Sequence, residues 1–136
     1  MHRYLVLVDG ADGAYGVAIP DCPGCTAMGD TFEDALRNAA EALGEWMSDR
    51  IAAGLGIPRA RPLAELRTDE ALKDDFASQP IVASVPLLLH VGQIVRADIS
   101  LDAGLLSSID EAAKRRGLTR SAFLASAARE KIMAEP

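Results

Sequence analysis

"PDCPGCTAMGDT", Pro20 to Thr31, holds both cysteines of this 136-residue chain, and its reading decides what the first half folds into. Cys22 and Cys25 stand in a C-x-x-C spacing. A disulfide oxidoreductase needs the first such thiol at a helix start, where its pKa is lowered. A structural zinc site needs four ligands. Here Pro20, Pro23 and Gly24 mark a turn, because each proline removes a backbone donor and restricts the residue before it. The next helix signal comes only at Thr31. His2 and His90 are the other soft ligands, one near each end of the first ninety residues. A Cys2His2 set can be written down from these four, but the spacing supports it poorly. The expectation is a turn between two strands with a partly buried thiol and no metal.

Outward from that turn, residues 3–8 ("RYLVLV") and 14–19 ("AYGVAI") are short and β-rich, with "DGADG" between them. Gly and Asp tolerate positive φ, so the pair reads as a hairpin with a five-residue connection. "CTAMG" continues as a third strand. Thr31 then caps a helix, with Asp34 at its third position. Phe32, Leu36, Ala39, Leu43 and Trp46 or Met47 recur at helical spacing. The helix should stop by Gly54 or Gly56, ahead of Pro58. "LAELRTDEALKDDF" reads as a short or broken helix. "IVASVPLLLH", Ile81 to His90, reads as a strand that Pro86 confines to a sheet edge or interrupts. The sum is a small α+β domain, an antiparallel sheet with one packed helix, over residues 1–91.

The totals narrow the function. Hydrophobic residues make up 49% and charged residues 25%, with a net charge of −6. Residues 1–90 carry 7 Lys+Arg against 14 Asp+Glu, a net −7; residues 91–136 carry 7 against 6, a net +1. The first part would repel phosphates and suits a basic protein partner. The N-terminal residues lack the apolar length of a signal peptide. No apolar run approaches the roughly 18 residues of a membrane span. A cytoplasmic location without membrane contact is the default expectation.

Residues 92–136 follow a different pattern. In "IVRADISL", Ile94 to Leu101, Val95, Ala97, Ile99 and Leu101 fall on one face, and Arg96, Asp98 and Ser100 on the other. Asp102 can cap a helix of about 14 residues with Leu105, Ile109, Ala112 and Ala113 inward, ended by Gly117. Thr119 can cap a second helix with Phe123, Leu124 and Ala127 inward. One strand and two helices cannot bury enough apolar surface by themselves, and a lone strand leaves its backbone groups unpaired. Antiparallel pairing with a second copy cures both: a two-stranded ribbon under four helices, showing Arg96, Asp98 and Ser100 twice. Such a ribbon fits the DNA major groove. A dimerisation module that touches no nucleic acid is the alternative.

Two resemblances join here. Residues 94–133, with their alternating strand, capped helix, "RRGLTRSAF" turn and second helix, resemble a ribbon-helix-helix DNA-binding domain. That resemblance implies base reading by Arg96, Asp98 and Ser100, and phosphate binding by Thr119, Arg120 and Ser121 at a helix start. Asp98 departs from the usual, since a carboxylate near phosphates is repelled; it would accept from a cytosine amine. "YGVAIPDCPGCTAMGDTFEDALRNAAEALGEWM", Tyr15 to Met47, resembles the N-terminal domain of HicB-type antitoxins. Pro20, Asp21, Pro23, Gly24, Cys25, Gly29, Asp30 and Thr31 carry the match; Cys22 sits at a permissive position.

The order of the two domains is itself characteristic of that family. The resemblance implies a partial ribonuclease-H-like fold and a HicA-type toxin, a small basic ribonuclease, as partner. It further implies operator DNA under the C-terminal module, and a homodimer, with higher oligomers left open. No cofactor is implied. A ribonuclease-H-like fold also raises a metal-nuclease reading on Asp9, Asp12, Asp21 and Asp30. All four fall in turns, where Asp is favoured for local hydrogen bonds, and two-metal catalysis needs carboxylates converging on one site. Toxin neutralisation with autorepression therefore leads. A stand-alone regulator with a ligand-binding first domain comes next, and a nuclease last.

Overall fold

A computed structural model describes residues 2–89 and 94–134. The chain divides into two units, residues 1–92 and 93–136.

In the first unit, β1 (Arg3–Ala11), β2 (Ala14–Ala18), β3 (Thr26–Gly29) and β4 (Ile81–Pro86) form one antiparallel sheet in the order β3-β2-β1-β4. The hairpin is tighter than the sequence suggested. Ala11 pairs with Ala14, so only Asp12 and Gly13 connect the strands, rather than five residues. Gly13 supplies the turn's positive φ of 91°. β4 lies at the sheet edge and stops at Pro86, as the proline requires. His90, at the end of the expected strand, lies outside the described residues.

Helix α1 (Phe32–Ala52) packs against β3, β2 and β4. The Asp34 N–H donates to Thr31 Oγ1 over 3.1 Å, which satisfies one of the helix's orphan donors. At the other end Gly54 N–H donates to Ile51 O and Leu55 N–H to Arg50 O, the paired bonds of a glycine-closed helix end. The buried stripe is Ala35, Ala39, Ala40, Leu43, Gly44 and Met47, with Phe32 and Leu36 only half-buried. Contact is thus made largely by small residues, the close approach that an alanine-rich helix allows, with Leu43 and Met47 as its large members. The reason is proximity. A Cβ on Gly29 would stand 2.4 Å from the Ala35 nitrogen, so β3 and the helix backbone nearly touch. Tyr4, Val6 and Val8 share a face of β1 and are buried with Val17, Val85, Leu43 and Met47. Each such side chain contributes about 1.5–3 kcal/mol. The "LAELRTDEALKDDF" stretch becomes α2 (Leu63–Arg67), a 3₁₀ turn (Glu70–Leu72) and α3 (Lys73–Ala77).

In the second unit, α4 (Ala103–Arg115) is capped by Asp102, whose carboxylate accepts from the Gly104 and Leu105 amides. Gly117, φ 68°, closes it, and Leu118 N–H donates to Ala113 O. α5 (Arg120–Ala134) follows after Thr119. Residues 94–102 carry no regular secondary structure, so the strand expected over Ile94–Leu101 is not formed in the single chain. A strand exists only through its ladder, and among the described residues none pairs with this segment.

Candidate functional site

The turn that opened the sequence question is a closed knot of backbone. Cys22 N–H donates to Ile19 O, Cys25 N–H to Cys22 O, and Ile19 N–H to Cys25 O. Both cysteines are free thiols, and both are buried, not one partly so. Burial pushes the Cys22 thiol up to about 12, and the Cys25 thiol is raised for the same reason. A thiol held protonated is a poor nucleophile at neutral pH.

Asp21, beside Cys22, is the buried charged residue among the described residues of this unit, and both its carboxylate oxygens are engaged. Arg61 donates to it twice, from its backbone N–H at 3.0 Å and from Nε at 2.6 Å. The same guanidinium donates to Asp69 at 2.9 Å. Arg61 holds the Asp69 carboxyl below its ordinary range, and the two carboxylates raise Arg61 in turn. The Arg61 bridge ties the β2–β3 turn to the segment before α2, forty residues away. Nothing in the local sequence pattern announced it.

The other proposed metal carboxylates are dispersed. Asp9 accepts from Ser78 Oγ, and Asp12 accepts from the Tyr15 hydroxyl at 3.1 Å. Asp30 lines an open cleft of about 510 Å³ with Met28, Asp34 and Asn38, its backbone carbonyl taken by Gly13 N–H. Among the described residues no three His, Cys, Asp or Glu side chains gather as a metal site would require. His90 lies outside those residues, so a four-ligand set including it is not described.

In the second unit the apolar residues are largely uncovered. Ile94 is 99% exposed, Val95 75% and Ile99 63%. Leu105, expected inward, is half-exposed, and Ala127 is exposed. Of the two helices only Ile109 and Ala113 are buried, while Phe123 and Leu124 are half-buried. Arg96 and Asp98 approach each other to 3.5 Å, both side chains about nine-tenths exposed, and Ser100 is exposed. Thr119 Oγ1 accepts from the Ala122 amide, capping α5. Ser121 is exposed in the first turn. Arg120 is engaged: its Nε and one Nη each donate to an Asp110 oxygen at 2.8 Å.

Comparison with known proteins bears on both units. A family model for the HicB-like antitoxin of bacterial toxin–antitoxin systems matches residues 4–128. The crystal structure of the Burkholderia pseudomallei antitoxin HicB is 30% identical, with a TM-score of 0.56, covering 97% of this chain and 99% of that one. A chain of a HicA3 and HicB3 toxin–antitoxin complex shares the fold over 62% of this chain and 96% of its own length, with a TM-score of 0.50 at 23% identity. An uncharacterised 14.9 kDa protein of Haemophilus phage HP1 is 27% identical over 132 residues, 96% of this chain and 97% of its own length. With a family match across nearly its whole length, in both the α+β unit and the helical one, the chain belongs to the HicB-like antitoxins of bacterial toxin–antitoxin systems.

Proposed function

We propose that the first unit binds and neutralises a HicA-type ribonuclease toxin, and that the second dimerises as a ribbon-helix-helix module that binds and represses the operator of its own operon. The observation that carries the second half is the uncovered segment 94–101. Its apolar residues alternate, lie in solvent, and sit beside two helices that bury only Ile109 and Ala113. A second copy would supply both the missing ladder and the missing core. Arg96, Asp98 and Ser100 would then face outward as base readers, with Thr119 and Ser121 at a phosphate beside the α5 start.

The first half is supported by family membership and by the net −7 of residues 1–90, which complements a basic toxin and would speed encounter. The related HicB3 antitoxin is found in complex with HicA3. The toxin would be the chain's protein partner in the cytoplasm, and the reading gives this chain no catalytic step. Asp21, one of the four carboxylates of the nuclease reading, is occupied by Arg61. No helix among the described residues is long and apolar enough to cross a membrane.

The test is recovery of tagged full-length chain from its own host, with co-eluting protein and DNA identified. The expected partner is a small basic protein that arrests growth when expressed alone and is harmless beside this chain. Recovery of operator DNA without any such protein would instead favour a stand-alone regulator.

A further inference from the structure

The corner between α4 and α5 is held by polar ties more than by a core. α5 has no buried side chain. Its direction is set instead by four local devices. Leu118 N–H donates to Ala113 O at 2.8 Å across the Gly117 turn. Thr119 caps the helix. Arg116 stacks over the Phe123 ring at 5.8 Å. Arg120, the first residue of α5, makes a two-bond fork on Asp110 of α4, both bonds 2.8 Å. A fork of this geometry fixes both orientation and distance. It also makes the pair electrically neutral, so Arg120 brings no net charge to a neighbouring anion.

We propose that Arg120, braced by Asp110, is a positioning residue that aims the first turn of α5, and is not itself the ligand of a nucleic-acid phosphate. The proposal rests on the DNA-binding reading above. Phosphate contact then falls to the free amides and hydroxyls of that first turn, around Thr119 and Ser121. A phosphate ligand and a brace respond differently to salt. Log affinity falls with log salt, and each neutralised phosphate adds about 0.9 to the steepness of that slope, whereas a brace adds nothing.

The experiment uses the full chain, a non-specific DNA duplex and a series of NaCl concentrations, with the dimer followed by sedimentation. The variants are Arg120→Ala, Asp110→Ala, the double variant, and the exchanged pair Asp110→Arg with Arg120→Asp. For a brace, each single alanine variant lowers affinity about fivefold, the double variant is no worse than either, and the salt slope stays at the parent value. The exchanged pair recovers most of the loss, even though it places a carboxylate at position 120. The proposal is overturned if Arg120→Ala lowers the slope by about 0.9 while Asp110→Ala tightens binding, the behaviour of a phosphate ligand released from a competitor. Should Arg120→Ala fail to fold, the exchanged pair decides: if it folds but does not recover binding, the brace is refuted. A parent chain that binds no duplex at low salt sinks the DNA reading together with this proposal. A parent that binds normally, with variants that behave as ligand losses, sinks the proposal alone.

Discussion

Leu43 on α1 and Leu105 on α4 are both leucines on the apolar stripe of a capped helix, and their fates are opposite. Leu43 is 0% exposed, pressed on a sheet whose β1 supplies Tyr4, Val6 and Val8; Leu105 is 51% exposed. The first unit closes its core within one chain, while the second stops at half of one. Equal amphipathicity therefore does not make equal domains. What differs is whether the opposing layer is covalently present. The first unit holds both layers of its core, and the second leaves its apolar stripe open to the copy proposed above to cover it.

The sharpest way to break that contrast is Ile99→Asp. It places a carboxylate in the apolar face of the proposed ribbon, twice per dimer, and should abolish the dimer in sedimentation while the first unit melts as in the parent chain. A dimer that survives would mean Ile99 does not face a partner.

Leu43→Ala should do the converse. It should lower the stability of the first unit by about 3 kcal/mol, through lost burial plus a cavity, without changing the dimer constant. Parallel loss of both would show the units are energetically one.

Arg61→Ala strands the buried Asp21 carboxylate. We expect a cost of about 2 kcal/mol, below that of a fully buried pair because Arg61 is one-quarter exposed. The same variant has a pH signature. The Asp69 carboxyl is held low in the folded state, so the stability it contributes is present above the ordinary carboxylate range and is lost as pH falls through its lowered pKa. Thermal melts from neutral to acid pH should show a shallower acid loss in Arg61→Ala than in the parent.

Arg96→Ala should weaken operator binding about tenfold or more with the dimer intact, since a good base contact carries about 1–3 kcal/mol of discrimination. Loss of the dimer instead would put Arg96 on the apolar face and shift the strand register by one.

The smallest effect is expected at Cys22. In the folded chain its thiol should resist alkylation at neutral pH and react only after denaturation. Because its folded pKa is raised to about 12, burial costs no stability below the ordinary thiol pKa, and stability falls as pH rises beyond it. Rapid labelling of the native chain would mean that the turn opens.

Much of this fold is written in local chemistry. Thr31, Gly54, Asp102, Gly117 and Thr119 mark helix ends because each satisfies backbone groups within a few residues of itself. Pro86 marks an edge for an equally local reason. The interactions that escaped the sequence are those joining distant residues. Arg61 reaches Asp21 across forty positions, and Arg120 reaches Asp110 across ten. No periodicity encodes which arginine meets which aspartate. Ala39, Leu43 and Met47 of the α1 stripe are buried as their spacing implies, while at its N-terminal end the spacing favours Leu36 and the fold buries Ala35. The close approach of Gly29 reverses that preference. The segment Ile94–Leu101 shows the complementary lesson: its alternation is plain in the sequence, yet no strand forms there in the single chain, because a ladder needs a partner that periodicity alone does not supply.

One consequence follows from the rims of the first unit's sheet. At the β4 rim, Pro86 has no amide to offer and the Arg3 guanidinium donates to both the side chain and the carbonyl of Ser84. At the β3 rim, Asn38 donates to the Met28 carbonyl at 2.8 Å. Both rims are thereby made poor templates for another strand. If the second unit pairs by strand addition as proposed, rims that refuse a strand in the first unit keep strand pairing from propagating into an open-ended polymer. Such a chain could accumulate in excess over its partner without precipitating on itself.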